Sequence, residues 1–97
     1  MSDVSGIVAA AAVEKTVTLR FFAAIREAIG HGEEPWITQA ATVGELRDEL
    51  LARGGAYRQS LARERAVRIA LDQALCAETA ALPARAEVAF FPPVTGG

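Results

Sequence analysis

The chain is poor in the residues that most often carry chemistry. Among its 97 residues there is one cysteine, Cys76, and one histidine, His31. A single cysteine excludes an internal disulfide and any paired-cysteine metal site, and a single histidine cannot build a metal centre alone. Lysine occurs once, at Lys15, so the positive charge is almost all arginine. The formal net charge of -2 at pH 7 speaks against a nucleic-acid binder that works by neutralising phosphates, which needs a basic face. No apolar run approaches the roughly 20 residues of a membrane span. The phosphate-cradling patterns GxxxxGK(S/T) and GxGxxG are both missing, so any nucleotide chemistry must come from another protein. The apolar run Ile7-Val8-Ala9-Ala10-Ala11-Ala12-Val13 has no basic residue before it and does not read as a signal peptide. Residues 1–15 are expected to form a flexible extension, and a cytoplasmic location is the default.

What is present suits one small globular domain. Hydrophobic residues make up 52% of the chain and charged residues 23%, an ordinary balance for a folded protein. Thr16 to Phe22 alternates with period two and predicts a strand, with Val17, Leu19 and Phe21 on one face and Thr18, Arg20 and Phe22 on the other. Ala23 to Ile29 predicts a short helix closed by Gly30. His31 to Pro35 predicts a turn, and Trp36 to Gln39 a short edge strand. Thr42-Val43-Gly44-Glu45 matches a capping box. It opens the main helix, whose apolar stripe is Val43, Leu46 and Leu50, and Gly54-Gly55 ends that helix. Ala56 to Ala66 reads as a loop with room for one helical turn, anchored by Tyr57 and Leu61. Val67 to Leu71, Leu75 to Ala77 and Glu87 to Phe91 predict three further strands. The order of elements is α+β.

The C-terminus carries the one feature with chemistry in it. Pro92-Pro93 stops the last strand, because neither residue can donate to a ladder, and favours an extended exit. The six residues after Phe91 reach about 20 Å when extended. Gly96 and Gly97 lack a Cβ and can thread a narrow channel. The terminal carboxylate is a poor electrophile that reacts only once a partner activates it. A Gly-Gly end alone is a weak signal. The strand, the proline stop and the slim tail together give it direction.

The run Glu87-Val88-Ala89-Phe90-Phe91-Pro92-Pro93-Val94-Thr95-Gly96-Gly97 resembles the C-terminal signature of the MoaD family, the small subunit of molybdopterin synthase. Val17 to Gly30 and Thr42-Val43-Gly44-Glu45-Leu46 resemble that family as well, so the likeness covers residues 16 to 97. The family's Asp-Gly turn before the last strand is missing, since Pro83-Ala84-Arg85-Ala86 stands there, and the first 15 residues have no counterpart. The resemblance implies a β-grasp, ubiquitin-like fold: a mixed sheet of four to five strands on one main helix, spanning residues 16–91, with residues 92–97 as the tail. It implies a sulfur carrier without a catalytic site of its own. An ATP-dependent adenylating enzyme would activate Gly97, and a sulfur-donating protein would convert the adenylate to a thiocarboxylate. The large synthase subunit would then accept the tail in a heterotetramer and pass the sulfur to cyclic pyranopterin monophosphate. No bound cofactor and no metal are implied.

Strand alternation suggests a docking face at the base of the tail. Phe22 and Phe91 fall on the face away from the helix, near one end of neighbouring parallel strands, with Arg20 and Arg26 as rim contacts and Pro92, Pro93, Val94 and Thr95 leading into the partner. Cys76 reads as a small strand hydrophobe and His31 as a surface residue. Two alternatives stay open. One is a sulfur carrier for another pathway, such as thiazole, tRNA thiolation or cysteine synthesis. The other is a β-grasp binding module whose tail is inert.

Overall fold

The computed structural model describes residues 14–93. Eight elements follow one another: β1 (Lys15–Phe21), α1 (Ala23–Ile29), β2 (Glu33–Thr38), α2 (Val43–Ala52), α3 (Gly55–Leu61), β3 (Arg68–Leu71), β4 (Ala74–Leu75) and β5 (Glu87–Phe91). The strands form one sheet in the order β2-β1-β5-β3-β4. The first and last strands are parallel neighbours at its centre, and the other pairs are antiparallel. With α2 packed across one face, this is the expected β-grasp arrangement.

Period-two alternation in β1 buries Val17, Leu19 and Phe21 and leaves Thr16, Thr18 and Arg20 on the opposite face. Val88 and Phe90 of β5 join the buried set, and Val43, Leu46 and Leu50 of α2 close the core from above. The capping box forms, with one shift. The Glu45 amide donates to Thr42 Oγ1 at 3.2 Å, while Glu45 Oε1 accepts from the Ala41 amide at 2.8 Å, one residue before the cap. Two further free amides at the start of α2, on Val43 and Gly44, donate to the carbonyls of Ala80 and Glu78 at 3.0 and 2.8 Å. Gly44 permits that approach: a Cβ there would sit 3.1 Å from the Glu78 Cβ and 3.2 Å from its carbonyl oxygen.

Arg47 is the residue of α2 that the apolar stripe did not foretell. It is 4% exposed and donates to the carbonyls of Leu61 and Ala62 and to Glu78 at 2.7, 3.1 and 2.9 Å. Arg63 adds Asp48, Glu78 and the Gly44 carbonyl. These contacts tie α2 to the end of α3 and to the segment before β5, so the buried charge is paired and hydrogen-bonded.

Several boundaries differ from expectation. β2 begins at Glu33, because Glu33, Glu34 and Pro35 pair with Arg20, Leu19 and Thr18; proline is tolerated there on an edge strand. The segment expected as loop forms α3 from Gly55 to Leu61, with Leu61 fully buried beneath α2. Tertiary burial of Leu61 decides this, since the local sequence is polar. β4 is only Ala74–Leu75, joined to β3 by Asp72-Gln73, both at positive φ (49° and 73°). That is the left-handed pair of a two-residue hairpin turn.

Candidate functional site

The base of the tail is a built surface. β1 ends at Phe21, and Phe22 is the N-cap of α1 rather than the last strand residue. Its amide still donates to the Phe90 carbonyl of β5 at 3.2 Å, and its own carbonyl accepts from the Ile25 and Arg26 amides at 3.2 and 3.3 Å. Both backbone groups are therefore committed, and the ring is held beside β5. Ala23 follows at φ 54°, a left-handed step that costs an alanine about 1 kcal/mol and turns the chain sharply from strand to helix. The side chain of Phe22 is left 40% exposed.

Phe22, Phe91, Pro92 and Pro93 line one open hollow of about 780 Å³ together with Arg20, Ala70, Ala89, Gln73 and Glu87. Cross-strand register explains its shape. Arg20, Ala89, Ala70 and Leu75 form one row across β1, β5, β3 and β4. The two central alanines have no bulk, so the floor is low and the aromatic and proline side chains form the walls. Leu75 extends the apolar row at the sheet edge and is 64% exposed. A contiguous apolar hollow of this kind marks an interaction site.

Arg20 and Glu87 are the charged groups in the hollow. The Arg20 guanidinium lies 5.5 Å from the Phe22 ring centroid and reaches Glu33 and Glu87 only at 3.6 and 3.8 Å. Those separations are ion pairs without hydrogen-bond contact, and Arg20 Nε has no hydrogen-bond partner.

The structure thus brings together five of the sequence-predicted residues: Arg20, Phe22, Phe91, Pro92 and Pro93. It does not bring Arg26 to them. That residue lines a neighbouring hollow with Ala23, Glu27, Gly30 and His31, which touches the first only through Ala23, and its side chain lies along Gly32. Val94, Thr95, Gly96 and Gly97 lie outside the described residues, as does most of the N-terminal segment. Ala70, Ala89, Gln73 and Leu75 were missed by sequence reading. Their contribution comes from smallness and register, which show only once the strands are paired.

The remaining candidates are structural. Burial raises the Cys76 thiol pKa, a backbone hydrogen bond offsetting this in part, so it is not poised as a thiolate. His31 pairs with Glu34 at 3.0 Å, and Tyr57 hydrogen-bonds to the same carboxylate. Burial, then the Glu34 contact, pushes the Tyr57 phenol up to about 12. Arg53 stacks on Tyr57 at 4.1 Å from the ring centroid and completes a brace between β2 and α3. Among the described residues no cluster of three or more His, Cys, Asp or Glu could hold a metal ion, and no helix is long and apolar enough to cross a membrane.

Comparison with known proteins gives this surface a context. The ThiS family model matches residues 19–97. A curated relative, the molybdopterin synthase sulfur carrier subunit of Haemophilus influenzae, is 35% identical over 77 residues, covering 79% of this chain and 94% of that protein. Among solved structures, a Haloferax volcanii protein matches with a TM-score of 0.69 and 29% identity, covering 87% of this chain and 88% of the other. A chain of the Helicobacter pylori complex of subunits 1 and 2 of molybdopterin-converting factor matches with a TM-score of 0.58 and 26% identity, covering 84% of this chain and 99% of that one.

Proposed function

The chain belongs to the ThiS family, and on that footing we propose that it is the sulfur carrier subunit of a molybdopterin synthase, working through the carboxylate of Gly97. The observation that carries this reading is the apolar hollow at the foot of the tail. Phe22, Phe91, Pro92 and Pro93 surround the point where the chain leaves the sheet, so a partner seated there receives whatever follows Pro93. The family match extends through Gly97 itself.

The chemistry runs in three steps. An ATP-dependent adenylating enzyme joins the Gly97 carboxylate to AMP and releases pyrophosphate. A donor of sulfide-level sulfur then attacks the acyl-adenylate, the acyl C–O bond to AMP breaks and AMP leaves, giving a terminal thiocarboxylate, a softer and better nucleophile than the carboxylate it replaces. The large synthase subunit holds the carrier on its open face and takes the tail into its own active site. There the thiocarboxylate sulfur bonds to a carbon of cyclic pyranopterin monophosphate as a C–O bond of that carbon breaks, and water hydrolyses the resulting thioester, leaving the sulfur on the pterin and restoring the Gly97 carboxylate. The described residues of the carrier offer no acid–base constellation, so those groups belong to the partner. The carrier binds no cofactor; ATP is consumed by the activating enzyme. A cytoplasmic location goes with this reading.

The test is intact-mass spectrometry after incubation with an adenylating enzyme, ATP and a sulfur donor. The expected result is the mass gain of one sulfur replacing one oxygen, lost when Gly97 is deleted. Full cofactor synthesis by the Gly97 deletion would overturn the carrier reading.

A further inference from the structure

The chain leaves the sheet between two hollows, and Pro92 lines both. The second, about 390 Å³, lies on the helix side between α1, the end of α3 and the segment leading into β3. Its apolar side is made by α1, with Ile25 buried and Ala24 and Ala28, one turn apart, exposed, and its polar side is Gln59, Ser60 and Arg65. No acidic residue lines it. The Arg65 amide donates to the Ala62 carbonyl at 2.9 Å, which fixes the backbone of that turn. Its guanidinium makes no ion pair among the described residues, as is true also of Arg26, Arg58, Arg68 and Arg85, but of these Arg65 is the one that lines the groove. A chain of net charge -2 therefore places an unspent cation beside its exit strand, next to two exposed alanines of α1.

We propose that this groove is a second docking point of the carrier and takes an acidic segment of the large synthase subunit. A carboxylate of that segment pairs with Arg65, and an apolar side chain next to it seats on Ala24 and Ala28. The proposal rests on the carrier reading above. It follows from continuity and from charge. Pro92 is shared by both hollows, so a partner gripping the open face reaches the groove without a gap. The groove presents hydrogen-bond donors and no competing carboxylate. An anchor on each side of the exit strand fixes the direction in which the tail is delivered, which one apolar face alone leaves loose.

The experiment measures the affinity of the full-length carrier for the large subunit by calorimetry at low and physiological salt, for wild type, Arg65→Glu, Arg65→Met and Arg58→Glu. Arg58 is an exposed arginine of α3 that lines neither hollow and reports general charge effects. Arg65→Glu is expected to weaken binding about tenfold or more and Arg65→Met severalfold, both with a shallower salt dependence than wild type, while Arg58→Glu stays near wild type. Unchanged affinity in both Arg65 variants, or an equal loss in Arg58→Glu, would overturn the groove. Sulfur loading of the same proteins separates the two ideas: normal loading with unchanged binding sinks only the groove, and wild type that never gains sulfur sinks the carrier reading.

Discussion

Phe21 and Phe22 are neighbours in the chain, as are Phe90 and Phe91, yet each pair divides between two faces of one sheet. On the helix-covered face Phe21 and Phe90 stack with ring centroids 6.0 Å apart, almost wholly excluded from solvent. On the open face Phe22 and Phe91 line a hollow floored by alanines. The residues are chemically identical, and position alone assigns one pair to the core and leaves the other on the open face, where the proposed docking would use it. Polar contacts follow the same division. Arg47 makes three close hydrogen bonds on the helix side, while Arg20 on the open face holds its carboxylates at 3.6 and 3.8 Å. The first arrangement is closed and the second keeps capacity for a partner.

That division can be broken most directly by shortening one ring on each face. Phe90→Ala opens a cavity in the core and is expected to cost about 3–5 kcal/mol in denaturant unfolding. Phe91→Ala is expected to cost about 1 kcal/mol while weakening the large subunit complex about tenfold. Equal stability losses, with binding untouched in Phe91→Ala, would erase the contrast between the faces.

Acid sharpens the comparison on the helix side. The Arg63 hydrogen bond, against a desolvation cost and with the Arg47 charge added, holds the Glu78 carboxyl below its usual 4.5. Its folded value is thus below its unfolded one, and between the two the unfolded chain binds more protons. The stabilisation is present above about pH 4.5 and fades as pH falls through the folded value. Unfolding midpoints should drop in that window, and Glu78→Gln should flatten the drop. An unaltered pH profile in that variant would show that the Arg47–Glu78–Arg63 cluster adds nothing to the closed face.

The smallest effect concerns the turn before β5. Arg85 sits at φ 64°, a left-handed conformation that costs a residue with a Cβ about 1 kcal/mol. Its amide donates to the Thr16 carbonyl at 2.8 Å, which holds the turn in place. Arg85→Gly should raise stability by several tenths of a kcal/mol, after the added freedom of the unfolded glycine is subtracted. Thermal unfolding checks it, and a loss would mean that the arginine side chain outweighs its strained backbone.

Much of this architecture was legible in the sequence because it rests on periodicity. The alternation of β1 and β5, the Thr42 cap and the stripe Val43-Leu46-Leu50 are local patterns that tertiary packing reinforces. α3 was not legible, because the burial of Leu61 that holds it comes from a distant helix. β2 was read short, because Pro35 looks like a turn until Thr18 is seen opposite it. At the site the aromatic walls and the prolines could be named in advance. The low floor could not: alanine carries no signal until register sets Ala70 and Ala89 side by side.

Pro92 and Pro93 have a consequence in the free protein as well as in the complex. Fixing the backbone of an ordinary residue costs about 1–2 kcal/mol of entropy. Two locked φ angles have surrendered part of that before any partner arrives. On the proposed carrier reading, docking of this exit segment on a partner is correspondingly less penalised.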